Sequence, residues 1–209
     1  MISYSNFKFL IDYVFAVALL IILFPILIFL YLVASYSTKS NGIYAQKRIG
    51  YENKVFYIYK FKTMYDEISD LDTVTDSNSK RITSAGKILR KSKLDEFPQL
   101  INVLLGQMSF VGPRPDVVGY AEVLPIELQY LLFVRPGITS SASLFFKEEE
   151  FILSKVADKK AFNDFVIWPL KAELNLRYAK EFSFLLDCKI LLQTIGIIKY
   201  KKFNIFDLN

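Results

Sequence analysis

The stretch RKSKLDEFPQL, residues 90–100, sets two adjacent carboxylates, Asp95 and Glu96, behind Arg90, Lys91 and Lys93. Acids in so basic a setting have a plain reading and a chemical one. In the plain reading they favour the first turn of a helix and form surface ion pairs of little worth. In the chemical reading, the cations hold a carboxylate's pKa low, so that Asp95 is ionised and able to act as a nucleophile. Glu96 could then hold Mg2+, which takes one or two carboxylates together with substrate phosphates. Arg90, and Arg114 in a proline-flanked loop, are suited to gripping phosphate oxygens. Acid, metal ligand and arginine clamp are the parts of a phosphoryl-transfer site.

The rest of the composition narrows the chemistry. The chain has no histidine, so serine–histidine and cysteine–histidine mechanisms are excluded and any general base must be Asp, Glu, Lys or Tyr. The single cysteine, Cys188, allows neither an internal disulfide nor a cysteine zinc cluster. A net charge of +5 suits an anionic partner without choosing among phosphate, membrane surface and nucleic acid. Residues 83–106 resemble a basic helix-turn-helix only loosely, and Pro98 and the apolar N-terminus argue against it; no nucleic-acid partner is expected. Asp70-Leu71-Asp72 matches the short D-x-D pattern of metal-using glycosyltransferases, a weak signal in a polar loop.

These residues need a scaffold, and the sequence outlines an α+β one. VFAVALLIILFPILIFLYLVA, Val14 to Ala34, carries no charge and is of the ~20-residue length that crosses a bilayer as a helix. Pro25 sits in its middle, and proline removes a helical hydrogen bond. The run is therefore either a spanning anchor or a bent segment that leaves by the side it entered. Lys39, Lys47 and Arg48 follow it, while Lys8 is nearly alone before it, which places the remainder in the cytoplasm. Residues 1–38 are taken as the membrane anchor and 39–209 as the catalytic domain.

Two strands are expected around a turn at Gly50–Asn53. In the second, Val55, Tyr57, Tyr59 and Phe61 alternate with Phe56, Ile58, Lys60 and Lys62, giving one apolar face and one that ends in two lysines. Residues 66–82 read as a surface loop. A short helix capped by Thr83 or Ser84 precedes the Asp-Glu pair, and a helix follows it to a stop at Gly106. SFVGPRPDVVG, with Gly112, Pro113 and Pro115, is a stiff loop that fixes Arg114. Further helices are expected at 125–133, 147–164 and 170–181. The last apolar stretch, from Phe182, is either a core helix or an amphipathic one on the membrane.

FKFLIDYVFAVALLIILFPILI, QKRIG, YKFKTM, ITSAGKILRKSKLDEFPQLINVLLGQMSFVGPRP, VRPGIT and SFLLDCKILLQTI occur in the order and spacing of the bacterial sugar transferases. The chain resembles a small monotopic phosphoglycosyl transferase over nearly its whole length. The resemblance implies transfer of a sugar 1-phosphate from a UDP-sugar to a polyprenyl phosphate, usually undecaprenyl phosphate, with release of UMP. This is the first membrane step of O-antigen, capsule or other surface glycan assembly. It implies that Asp95 is the nucleophile of a covalent phosphosugar intermediate and that Glu96 binds Mg2+. Arg90 and Arg114 would contact phosphates, as would Lys60 and Lys62. It implies a re-entrant helix broken at Pro25, with the protein on the cytoplasmic face of the bacterial inner membrane. Assembly is left between a monomer and a homodimer.

Three departures from the family pattern stand out. Phe24 replaces the serine that many members carry before the proline, and Lys62 stands where the pattern has arginine. PGITSSASLFFKEEE replaces the common PGITGWAQVNGRN, so Glu148, Glu149 and Glu150 are the expected sugar-selecting residues. The alternatives are a D-x-D glycosyltransferase releasing UDP, and an inactive membrane scaffold of a glycan assembly complex.

Overall fold

The computed structural model describes residues 2–66, 81–117 and 126–200, with side chains apart from those of residues 2–4, 126, 127 and 150. The Asp70-Leu71-Asp72 motif and the Glu150 side chain lie outside the described residues. Helix and sheet are mixed, with two small two-stranded sheets.

Helix α1, Ile2–Thr38, is long and apolar enough to cross a membrane. It leaves large apolar side chains in the open, among them Ile21 at 71% exposure, Ile22 at 69% and Phe24 at 61%. No soluble core accounts for such a surface, which suits lipid. The expected interruption at Pro25 is not present as a gap, because helix runs without a break on both sides of it. Proline deletes one bond of the ladder, and flanking residues can keep theirs even where a helix bends.

Both halves of α1 pack on the same globular body. Near its start, Lys8 pairs with Asp187, and Asp12 accepts a hydrogen bond from Ser109. Ala16 is buried among Phe56, Ile58, Val103 and Met108. Beyond Pro25, Leu30 and Ala34 are buried with Phe61 and Leu89. Gly42 follows where the chain turns back, and a Cβ there would lie 2.5 Å from the Tyr31 carbonyl oxygen.

Strands β1, Ile43–Ile49, and β2, Val55–Phe61, form the expected antiparallel hairpin, in register from Ile43 opposite Phe61 to Ile49 opposite Val55. The burial of β2 corrects the sequence reading. Val55 and Tyr57 are exposed, while Phe56 and Ile58, on the face that ends in lysine, are buried. Their packing against α1 gives this face ~1.5–3 kcal/mol per side chain. It also turns Lys60 inward.

Helix α2, Ser84–Lys91, starts as expected: the Thr83 hydroxyl accepts from the Gly86 amide at 2.8 Å. A 3-10 turn at Leu94–Glu96 leads into α3, Gln99–Leu104, and Gly106 ends it at φ +69°. Strand β3, Ser109–Val111, pairs in parallel with β4, Gly137–Thr139. Between them the helix expected over 125–133 is a 3-10 helix, Ile126–Phe133. Helix α4, Ser141–Phe145, follows β4.

The single helix expected over 147–164 is two, α5 at Glu149–Ser154 and α6 at Lys159–Phe162. Asp158 separates them: its carboxylate accepts from the Ala161 amide and caps α6, which requires a non-helical residue there. A π-helical stretch at Asn163–Ile167 then runs into α7, Trp168–Glu181. Helix α8, Phe184–Thr194, buries Asp187 and Ile190 yet exposes Leu185. It has a core face and an outward apolar face. A core around Tyr178, with Val111, Leu131, Val134, Leu144 and Ile190, joins α7 and α8 to the parallel strands.

Candidate active site

Three segments meet at the Asp-Glu pair. The first is α2. Its start is fastened to the extension of β2 by the Thr83 amide, which donates to the Thr63 carbonyl. The approach is so close that a Cβ on Gly86 would lie 2.1 Å from that carbonyl oxygen. After α2, Lys93 adopts left-handed backbone at φ 59° and reverses the chain into the 3-10 turn. The turn buries both acids, each at 8% exposure.

The second segment is β2. Fully buried Asn102 of α3 ties it in place: its Oδ1 accepts from the Tyr59 amide at 3.1 Å and its Nδ2 donates to the Tyr57 carbonyl at 2.7 Å. Lys60, next along, thereby reaches Glu96 at 2.8 Å. The third is the proline loop. The Gly112 amide donates to the Thr139 carbonyl, the Gly137 amide to that of Pro113, and the Arg48 guanidinium to that of Pro115. So held, Arg114 donates to the same Glu96 oxygen, Oε1, at 2.9 Å.

The two acids have opposite electrostatics. Burial alone would raise the Glu96 pKa, but Arg114 and Lys60 outweigh it and hold the carboxyl far below its ordinary range. Asp95 corrects the sequence reading, which held it low. Burial raises its pKa, the Glu96 charge adds to this, and attraction from Lys60, Lys93 and Arg90 does not offset them. The reason lies in where the donors point. Lys60 and Arg114 both bond Glu96, while Asp95 Oδ1 is buried with no hydrogen-bond partner. Gln99 Nε2, at the start of α3, is likewise buried and unpartnered.

A metal would find oxygens here. Among the described residues no group of three or more His, Cys, Asp or Glu side chains could cage an ion. Two carboxylates that leave other positions to substrate phosphates suit Mg2+. Both Glu96 cations bond Oε1, which leaves Oε2 without a hydrogen bond, and Asp95 Oδ1 is unpartnered. The donor set fits the ion.

Of the expected phosphate contacts, the structure brings Lys60 and Arg114 to the acids, and the Arg90 charge acts on Asp95. Lys62 goes elsewhere, pairing with Asp66 at 2.6 Å. Glu149 is held through both oxygens by Lys171, at 2.6 and 2.7 Å. It lies close enough to Arg114 to strengthen that residue's hold on its proton. Glu148 immediately precedes α5, and its side chain does not cap that helix.

An outer layer of charge surrounds the site. Arg48 is pushed down to about 10 by burial and by the Arg114 charge. Burial raises Asp116, against the pull of Arg48 and Lys171. Asn102, Asp116 and Lys171 carried no assigned role, and only Asn102 and Asp116, lying in or beside the motif block, had a signal to find them by.

Known proteins resemble this chain over most of its length. Residues 3–201 match the family described as bacterial sugar transferase. An uncharacterized sugar transferase, EpsL, of Bacillus subtilis is 34% identical over 188 residues, covering 90% of this chain and 85% of that protein. The UDP-glucose:undecaprenyl-phosphate glucose-1-phosphate transferase of Escherichia coli is 33% identical over 189 residues, covering 88% of this chain and 38% of that protein. The undecaprenyl-phosphate galactose phosphotransferase of Salmonella typhimurium is 37% identical over 147 residues, 61% of this chain and 30% of that protein. The chain thus spans well under half the length of these last two. With a match that runs through α1, the Asp-Glu turn and α8 alike, the chain belongs to the bacterial sugar transferase family.

Proposed function

We propose that the chain transfers a sugar 1-phosphate from a UDP-sugar to a polyprenyl phosphate such as undecaprenyl phosphate, releasing UMP, at the cytoplasmic face of the bacterial inner membrane. The observation that carries this reading is the division of labour between neighbouring acids. Glu96 is locked as an anion by two cations, while Asp95 presents a buried oxygen without a hydrogen-bond partner among the described residues.

In the first half-reaction an Asp95 oxygen attacks the phosphorus bonded to the sugar. An acyl phosphate forms, the bond from phosphorus to the UMP oxygen breaks, and UMP departs with the electron pair. In the second, a phosphate oxygen of the lipid attacks the same phosphorus. The acyl-phosphate bond breaks and the Asp95 carboxylate is restored. Arg114 and Lys60 would neutralise the diphosphate, with Arg90 on the Asp95 side. Glu96, whose Oε2 takes neither of its two cations, would hold Mg2+, and the bound ion would supply charge neutralisation for the phosphates. An ionised carboxylate needs no base to activate it, which accounts for chemistry without histidine.

The same reading assigns α1 a re-entrant path, with both ends on the cytoplasmic side and Ile21 to Phe24 at its deepest point. What supports it is that Lys8 and Asp12 at one end, and Leu30 and Ala34 at the other, touch one body. A body on one face of a bilayer holds both ends there. A bend at Pro25 that keeps the helical pattern satisfies this. The exposed apolar residues of α8 would lie along the membrane surface.

The test is a single-turnover measurement. With a UDP-sugar and no lipid, the protein should release about one UMP per chain and gain the mass of a sugar phosphate on Asp95. Release of UDP, or steady UMP release with no covalent adduct, would remove the mechanism.

A further inference from the structure

The proposed reaction leaves Arg135 unused, and its surroundings are built. The guanidinium lies over the Phe9 ring of α1 at 4.5 Å and over the Tyr51 ring of the hairpin turn at 5.1 Å. Its Nε donates to the Gly106 carbonyl at 3.1 Å. Gly106 is itself against Phe9, since a Cβ there would lie 3.2 Å from the ring. Three elements distant in sequence converge on one side chain and fix its direction.

A packed arginine is ordinarily completed by a carboxylate, and this one is not. Among the described residues no ion pair involves Arg135 and nothing accepts from Nη1 or Nη2; Glu52 acts on it only through its charge. The acids nearby are taken. Asp12, which lines the same cleft, accepts from Ser109 and sits 3.6 Å from Lys8; exposed Glu52 pairs with Lys54. Exposed Phe133 lines the same cleft, and Leu10 and Leu105, next in sequence to Phe9 and Gly106, are exposed as well. A rigid forked cation rimmed by bare apolar side chains suits the boundary between lipid headgroups and tails.

The site is separate from the Asp-Glu pair. Arg135 meets the end of α3 and Glu96 precedes its start, so at ~1.5 Å per residue about 9 Å of helix lies between. The phosphate it would take is not the one that reacts. We propose that Arg135 binds the phosphodiester headgroup of an anionic membrane phospholipid, whose acyl chains lie against Leu10, Leu105 and Phe133. This rests on the reading of α1 as a membrane segment.

The experiment uses the full chain in mild detergent. Phosphatidylglycerol is titrated in and bound lipid counted by native mass spectrometry. Phosphatidylcholine and inorganic phosphate serve as parallel arms, and melting curves report folding. The wild type should favour phosphatidylglycerol over phosphatidylcholine by roughly tenfold, because the choline cation offsets the phosphodiester charge that Arg135 would meet. Arg135→Gln should erase the preference, and Arg135→Lys, which keeps the charge without the fork, should lose most of it. Undiminished preference in both variants would overturn the inference. Should Arg135→Gln fail to fold, undiminished preference in Arg135→Lys does so alone. Displacement of the lipid by an equal concentration of inorganic phosphate would overturn the lipid as its source. Flotation of the wild type with phosphatidylcholine vesicles tests the membrane reading separately: its failure removes both, whereas flotation with unaltered variants removes only the inference.

Discussion

Replacing Asp95 with asparagine should stabilise the protein while abolishing turnover. Asp95 is buried at 8% exposure, its Oδ1 has no donor, and burial and the Glu96 charge raise its pKa. An acid whose pKa rises on folding is disfavoured, in the native state, in its ionised form. The cost begins as pH rises past the ordinary aspartate value and is complete above Asp95's own higher one. Asparagine matches the shape of the neutral acid and removes that cost. An ionised side chain costs more to bury than a neutral amide left equally unpartnered, and each kcal/mol of that difference moves the midpoint of a chain this size by roughly 2–4 °C. Asp95→Asn should therefore melt above wild type at neutral pH in the same detergent. The difference should shrink as pH falls toward the ordinary aspartate range, where the wild-type side chain also becomes neutral. UMP release, measured alongside, should fall to background. A variant that melts lower than wild type at neutral pH would refute the electrostatic reasoning. One that turns over near the wild-type rate would refute the nucleophile.

Glu96→Gln should cost roughly 10²-fold in turnover, typical for one electrostatic stabiliser, and weaken the Mg2+ dependence. It should also move the acid limb of the pH–rate profile downward, because the Glu96 charge is one of the causes that raise Asp95; an unmoved limb counts against the coupling. In wild type, the stability drawn from Glu96 is present above the ordinary glutamate pKa. It is lost as pH falls toward the much lower folded value, and pH-dependent melting of Glu96→Gln should lack that loss. Lys60→Met should reduce turnover by roughly 10²-fold and Lys62→Met by only a few-fold, since Lys62 pairs with Asp66; equal effects would show that Lys62 also serves the phosphates. In a Cys188→Ser background, a cysteine placed at Ser3 should resist impermeant reagents applied to the periplasmic side of intact cells, and labelling there would exclude the re-entrant path. Exchanging residues 140–150 for the common family segment should alter the ranking of UDP-sugars, and an unchanged ranking would end the proposal that Glu148 to Glu150 select the sugar.

How far the sequence could be read depended on where each contact lay in the chain. The cap at Thr83 or Ser84, the Gly106 stop and the hairpin turn are local, and short-range rules found them. That Asp95 and Glu96 belong together was equally legible. Their divergence was not, because it is set by Arg114, from a distant loop, and by Lys60, from a strand whose buried face is chosen by α1. Alternation alone cannot say which side of a strand meets a core when both sides carry aromatics. The Glu149–Lys171 pair was hidden for a related reason. The break at Asp158 sets α7 apart from α5, and no periodicity within either predicts how they meet. Pro25 stands between: its chemistry announces a weak point, while the path of the chain through it depends on what holds the two ends.

The pairing of Lys8 with Asp187 bears on how the protein is made. The partners stand 179 positions apart. At synthesis rates of ~5–20 residues per second, about 10–40 s pass between their emergence. Throughout that interval α1 must settle at the bilayer with its buried cation unmatched by α8. Asp12, one turn along and 3.6 Å away, is the counter-ion at hand. Docking of α8 then converts a local, provisional pair into a buried cluster with Tyr178 and Ser109. On the proposed membrane path of α1, anchoring precedes closure of the body, so a ribosome-bound chain lacking α8 should already be anchored and still be inactive.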